Sequence, residues 1–181
     1  MTVQVLFVQG GGANVHDGWD SKLVESLERG LGPDYRVRYP RMPKEEDPRY
    51  ATWKSALLRE MDSLDDGAIL VGHSVGGAIL LHVLAEHDPD LRPGALVLIG
   101  APFIGDGGWR SDEIQAGNDF AERLPAAVFL YHGTDDETIP TSHVHLYAQA
   151  IPQATVRVVE HRDHQLNNDL SEVARDIRTL S

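Results

Sequence analysis

Residues 67–87 read GAILVGHSVGGAILLHVLAEH, with four glycines set around one serine. Ala68–Val71 is a short apolar run, and Ala78–Ala85 is apolar nearly all round. The first suits a strand buried on both faces, the second a helix packed deep against a sheet. Between them, Gly72-His73-Ser74-Val75-Gly76 fits the pattern G-x-S-x-G at a strand-to-helix turn. A serine on so sharp a bend takes strained backbone angles, and small neighbours keep strand and helix from colliding. The bend would display the Ser74 hydroxyl, with the helix N-terminus offering the Val75 N–H to an oxyanion. The plainer reading is a tight turn with an incidental serine, so the rest of the chain must decide.

Five further strand-like runs accompany Ala68–Val71: Val3–Val8, Tyr35–Tyr39, Ala95–Ile99, Ala127–Tyr131 and Thr155–Val159. Tyr35–Tyr39 alternates apolar and charged residues, which places it near a sheet edge. Helix-like stretches lie between the strands. Trp19, Leu23, Leu27 and Leu31 form a one-sided apolar stripe, as do Tyr50, Trp53, Leu57, Met61 and Leu64. Ser142–Ile151 and Leu166–Leu180 complete the helical set. Strand–helix alternation over the whole length implies a parallel sheet covered on both faces, with ligands beyond the carboxyl ends of the strands. A functional site should therefore use residues just after strands. Gly10–Gly12, Ser74, Asp135/Asp136 and His161/His164 all meet that condition.

Composition narrows the chemistry. A chain of 181 residues is expected to fold as one domain, 1–181, burying about 70% of its unfolded surface. The absence of cysteine excludes thiol nucleophiles, thiolate metal sites and disulfides. Net charge is −12 and basic residues are scattered, so nucleic acid is not an expected partner. MTVQVLFVQGGG lacks a basic leader and reads as a first strand, and no apolar run reaches the roughly 20 residues of a membrane span. The expectation is a cytoplasmic protein acting on a small molecule.

A serine hydroxyl is a poor nucleophile near neutral pH and needs an oriented base. In a sheet of this kind the acid and then the histidine follow the serine along the chain. YHGTDDETIP (131–140) follows the fifth strand and EHRDHQLNN (160–168) the sixth. The acid is assigned to Asp136, with Asp135 its rival, since one of two such aspartates caps a turn. The base is assigned to His164 rather than His161, which sits too close to the strand end to swing over the sheet. His73 and His132 flank the site without acting, while His16, His82, His87, His143 and His145 read as core or surface residues. His143 and His145 would face different sides of a helix and no H-E-x-x-H is present, so no metal site is expected. Gly11, or Gly10 in its place, would supply a second oxyanion donor through its N–H. In the 101–125 loop, Phe103, Ile104 and Trp109 beside Gly105, Gly107 and Gly108 offer an acyl-binding wall, a short mobile flap or ordinary packing.

GGGANVHDGW (10–19), ILVGHSVGGAIL (69–80), HGTDDETIP (132–140) and DHQLNN (163–168) together resemble the α/β-hydrolase superfamily. They are more closely similar to the small serine hydrolases related to retinoblastoma-binding protein nine, to which Gly18-Trp19 points. The resemblance implies a three-layer α/β-hydrolase fold with a mostly parallel six-stranded sheet. It also implies no large cap domain and the loss of two leading strands found in larger members. It puts Ser74, Asp136 and His164 on the nucleophile, acid and base positions. Two residues depart from the pattern: Gln9-Gly10 stands for the usual His-Gly, and Asp163 for a glycine before the histidine. Aspartate tolerates left-handed backbone better than most residues.

The reading that follows is a serine hydrolase of carboxylic esters or related acyl compounds, working through an acyl-enzyme without a cofactor. Amidase, thioesterase, peptidase and perhydrolase chemistry use the same three groups. The alternative outside catalysis is an interaction module built on a hydrolase fold. Without cysteine, however, the chain cannot present the Leu-x-Cys-x-Glu motif that pocket-protein binding would use.

Overall fold

A computed structural model describes residues 2–87, 90–115 and 120–180. Its strands are β1 (Val3–Val8), β2 (Tyr35–Arg38), β3 (Ile69–His73), β4 (Ala95–Ile99), β5 (Val128–Gly133) and β6 (Ala154–Val159). They form one sheet in the order β2-β1-β3-β4-β5-β6, and every neighbouring pair is parallel. The order starts inside the sheet, runs to one edge and then reverses, which leaves a switch point between β1 and β3. β2 is an edge strand, as its alternation implied.

Period-two alternation divides the core into two halves. Val5, Phe7, Ile69, Val71, Ala95, Val97, Ile99, Phe129 and Tyr131 point to one face, where α1 (Ser21–Leu31) and α5 (Ser171–Arg178) cover them. Leu6, Val8, Leu70, Leu96, Leu98, Val128 and Leu130 point to the other, under α2 (Tyr50–Met61), α3 (Ser74–Glu86) and α4 (Ser142–Ala150). The result is the three-layer arrangement that strand–helix alternation demands, with no cap over it. Among the described residues, no helix is long and apolar enough to cross a membrane.

Two helical expectations are corrected. Trp19 does not join the buried stripe of Leu23, Leu27 and Leu31. It lies in a π-helical turn, Val15–Asp20, that precedes α1, and is 54% exposed. Nor does an α-helix begin at Leu166. Leu166–Asn168 is a single 3-10 turn whose three residues all have positive φ, and α5 starts at Ser171. The cause lies upstream: Asp163 Oδ1 accepts the N–H groups of Gln165 and Asn167 at 2.9 and 2.7 Å. Asn167 answers by accepting the Asp163 N–H at 3.0 Å, which locks a tight loop.

His82, on α3, is 3% exposed and meets Phe120 edge-on at 5.9 Å. Burial lowers its pKa from 6.5 to about 4 against a smaller opposing pull from Glu86. The native state therefore stays neutral at this position while the unfolded chain takes up a proton below 6.5. The contribution is complete above that pH and declines until about 4, by about 3 kcal/mol. Urea unfolding across this window should show a steeper loss of stability in wild type than in His82→Leu. Equal slopes would contradict the buried neutral imidazole.

Candidate active site

The loops after β1, β3, β5 and β6 meet on one rim of the sheet. Ser74 opens α3 with φ 53°, the left-handed region that a side chain seldom occupies. The constraint is steric. A Cβ on Gly76 would stand 1.9 Å from the Gln9 carbonyl oxygen at the end of β1, so α3 reaches that strand only where the side chain is missing. The turn from β3 must then close within one residue, and Ser74 is that residue.

His164 lies beside it. Its Nε2 is 2.9 Å from Ser74 Oγ and its Nδ1 is 2.7 Å from Asp136 Oδ2. The Asp136 side chain is fully buried, and its Oδ1 accepts the N–H groups of Thr138 and Ile139 at 2.9 and 2.8 Å. Burial alone would raise this carboxyl. The hydrogen bonds from His164, Ile139 and Thr138 outweigh that effect and hold it below the ordinary carboxylate range. His132 supports the acid from behind: its Nε2 donates to the Ile139 carbonyl at 2.8 Å and stands 3.3 Å from Asp136 Oδ2. Burial lowers the pKa of His132.

The rivals are drawn apart from this chain of groups. The His161 side chain is 89% exposed, and its Nδ1 faces Asp135 Oδ2 across 3.9 Å in solvent. Among the remaining histidines, His143 is buried and its Nδ1 accepts the Phe103 N–H at 2.8 Å, a structural contact.

The glycine loop after β1 is braced at two points. The Gly10 N–H donates to Asp20 Oδ2 at 2.7 Å and the Gly12 N–H to the Glu45 carbonyl at 2.6 Å. The Gly10 N–H is thereby occupied within the protein. Among the described residues, the Gly11 N–H has no protein acceptor, and Gly11 packs directly against Val75. Gln9, in place of histidine, is fully buried and binds the Met42 N–H and Glu45 at 2.8 and 2.7 Å, tying the loop after β2 to this one.

A cleft of about 500 Å³ opens over these groups, lined also by Val15, Trp19, Asp135, Glu137, Thr138 and Asp163. Of the readings open for the 101–125 loop, Phe103, Ile104 and Trp109 follow ordinary packing and do not line this cleft. Phe103 and Ile104 are buried in the core under α4, and Trp109 folds back on them, donating its N–H to the Phe103 carbonyl. Residues 116–119 of that loop lie outside the described residues.

Sequence reasoning missed three contributors. Asp20 reads as an ordinary acid at the head of a helix, Gln165 as a loop residue, and Gly100 as a strand end. Gly100 has φ 54°, and a Cβ there would come within 3.2 Å of the His164 ring and 3.3 Å of Asp136 Oδ2. Only its unusual backbone, invisible in the residue string, reveals it. Among the described residues, no group of three or more His, Asp or Glu is placed to hold a metal ion.

The fold and this rim define a hydrolase of the α/β class. A model of the alpha/beta hydrolase family matches residues 5–140, and the chain belongs to that family. Over 43 residues, 24% of its length, the chain is 44% identical to a probable lysophospholipase, BODYGUARD 3, of Arabidopsis thaliana. That match spans only 9% of the relative. The ydeN gene product of B. subtilis superposes with TM-score 0.77 at 21% identity, covering 99% of this chain and 98% of that one. An esterase from a Rhodococcus species gives 0.72 at 18%, over 99% and 92%. A meta-cleavage product hydrolase of Pseudomonas fluorescens gives 0.73 at 16%, over 98% and 89%. At these identities the structures speak to the fold.

Gly76→Ala tests the steric origin of the bend. Because the clash is with backbone, α3 must move off β1, and urea unfolding should show a loss of about 3 kcal/mol. A variant as stable as wild type would show that the close approach is not what forces the turn.

Proposed function

We propose that the protein is a serine hydrolase that cleaves a carboxylic ester or related small acyl compound. The observation that carries this reading is one imidazole, His164, held between Ser74 Oγ at 2.9 Å and the buried Asp136 at 2.7 Å. With Asp136 ionised, Nδ1 of His164 carries the proton it donates, and the lone pair of Nε2 faces the serine hydroxyl. Ser74 attacks the carbonyl carbon as Nε2 takes its proton. The N–H groups of Val75 and Gly11 bind the oxyanion, and the first turn of α3 adds its dipole. His164 then returns the proton to the leaving alcohol, which gives an acyl-enzyme. Water attacks that intermediate with the same histidine as base, releasing the acid and restoring Ser74.

The similarity to a probable lysophospholipase favours ester bonds over amides. The cleft supports a substrate with an apolar part against Val15 and Trp19. Asp135, Glu137 and Asp163, which also line it, favour neutral or cationic groups over anionic ones.

Ser74→Ala should keep the fold and lose turnover of a short-chain nitrophenyl ester by about 10⁶-fold, the loss seen for subtilisin's serine. A fluorophosphonate should label wild type and not this variant. Undiminished turnover would remove Ser74 from the mechanism, and a wild type inert to probe and ester would favour a binding module. His164→Ala should be as inactive as the serine variant, whereas His161→Ala and Asp135→Asn should keep kcat within about twofold, the residues being exposed and outside the hydrogen-bonded chain. An inactive His161 variant with an active His164 variant would reverse the assignment of the base.

A further inference from the structure

Behind the Ser74–His164–Asp136 chain lies a second buried acid and imidazole. Asp20 closes the turn before α1 and is fully buried, and His73, the last residue of β3, is 1% exposed. Oδ2 of Asp20 accepts from His73 Nδ1 at 2.9 Å and from the Gly10 N–H at 2.7 Å. Its Oδ1 accepts from Gln165 Nε2 at 3.1 Å. The other ring nitrogen of His73, Nε2, lies 3.1 Å from the backbone carbonyl oxygen of His164.

Both nitrogens of His73 therefore face acceptors, one a carboxylate and the other a carbonyl. A neutral imidazole carries one N–H and would turn a lone pair against one of those oxygens, whereas an imidazolium donates to both. The charged and titratable groups around the ring are Asp20 from the turn before α1, Asp136 from the loop after β5 and His164 from the loop after β6. Burial opposes a charge on His73, but the Asp20 carboxylate and the two hydrogen bonds outweigh it and raise its pKa. Burial likewise opposes ionisation of Asp20, and the charge and hydrogen bond of His73, with Gly10 and Gln165, overcome it. The two rings of His73 and His164 stand 4.8 Å apart. When His164 takes the serine proton, a bare imidazolium at position 73 would repel it, and Asp20 offsets that repulsion.

We propose that Asp20 and protonated His73 form a buried ion pair that positions the Gly10–Gly11 loop and the His164 loop around Ser74. The pair reaches both loops at once, through the Gly10 N–H on one side and the His164 carbonyl and Gln165 on the other. Asp20 and His73 are thus positioning residues acting through Gly10 and His164. The proposal rests on the hydrolase reading above.

Asp20→Asn tests it, since the shape is kept and the countercharge lost. Imidazole ¹⁵N NMR of the wild-type protein near neutral pH should show both nitrogens of His73 protonated, and in D20N that ring should lose its proton at lower pH. Ester turnover by D20N should fall by about 10²-fold in kcat with little change in KM, the size of effect a small misplacement of reacting groups produces. The competent form carries the proton on His73, so the D20N kcat profile should gain an extra decline as pH rises. A neutral His73 in wild type, or a D20N profile with wild-type shape and kcat, would overturn the proposal. Should D20N not fold, the wild-type NMR measurement still decides. A wild type inert to ester and fluorophosphonate would sink the hydrolase reading and the positioning role with it. An active wild type matched by D20N sinks the positioning role alone.

Discussion

Much of this molecule follows from how closely one helix approaches two strands. The first turn of α3 meets the Gln9 carbonyl at Gly76, and the Gly72 and Gly77 backbones touch, where a Cβ on Gly72 would come within 2.4 Å of the Gly77 Cα. No ordinary side chain fits in that seam. Closing the connection between β3 and α3 in so little space drives Ser74 to φ 53°. The strain is sustained because β3 is paired on both sides and α3 is buried along nearly its whole length. Packing on this scale, and no single hydrogen bond, turns an apolar strand and an apolar helix into a platform for one hydroxyl.

Around that platform the polar groups divide into two sets. Asp136 and His132 support His164 from the β5 side, while Asp20 and His73 reach it from the β1 side. Each set combines a buried carboxylate with a buried histidine, yet the electrostatics differ. Burial lowers the pKa of His132, whose Nε2 donates to a carbonyl. His73 has a carboxylate against its Nδ1 and a backbone carbonyl against its Nε2, and its pKa is raised. The same side chain is thus shifted in opposite directions according to what each nitrogen faces.

The legible parts of the sequence were those carried by local pattern. Continuous apolar runs marked β1, β3, β4 and β5, alternation marked the β2 edge, and G-x-S-x-G marked the bend. The carboxyl-end rule then gathered Ser74, Asp136 and His164 to one rim, where the geometry brings them together. Neighbouring candidates were harder to separate. Asp135 and Asp136 are alike as residues, and only the turn that gives Asp136 two backbone N–H donors and sends Asp135 to solvent distinguishes them. Long-range partners left no trace at all. Asp20 lies 53 residues from His73 and 145 from Gln165 along the chain. The false α-helical start at Leu166 arose because apolar spacing says nothing of Asp163 Oδ1 capturing two N–H groups of its own loop. Trp19 kept its place in the apolar period while a wider turn rotated it out to the cleft.

The sheet also ends somewhere, and its two open flanks carry cations. On β2, Arg36 is exposed and Arg38 is tied to Glu60 and Ser63; on β6, Arg157 pairs with Asp176. A foreign strand adding to either flank would have to crowd or desolvate these guanidinium groups, which opposes ladder growth from chain to chain. Sheet extension is thereby opposed at both flanks, while the apolar strands between them stay paired on both sides.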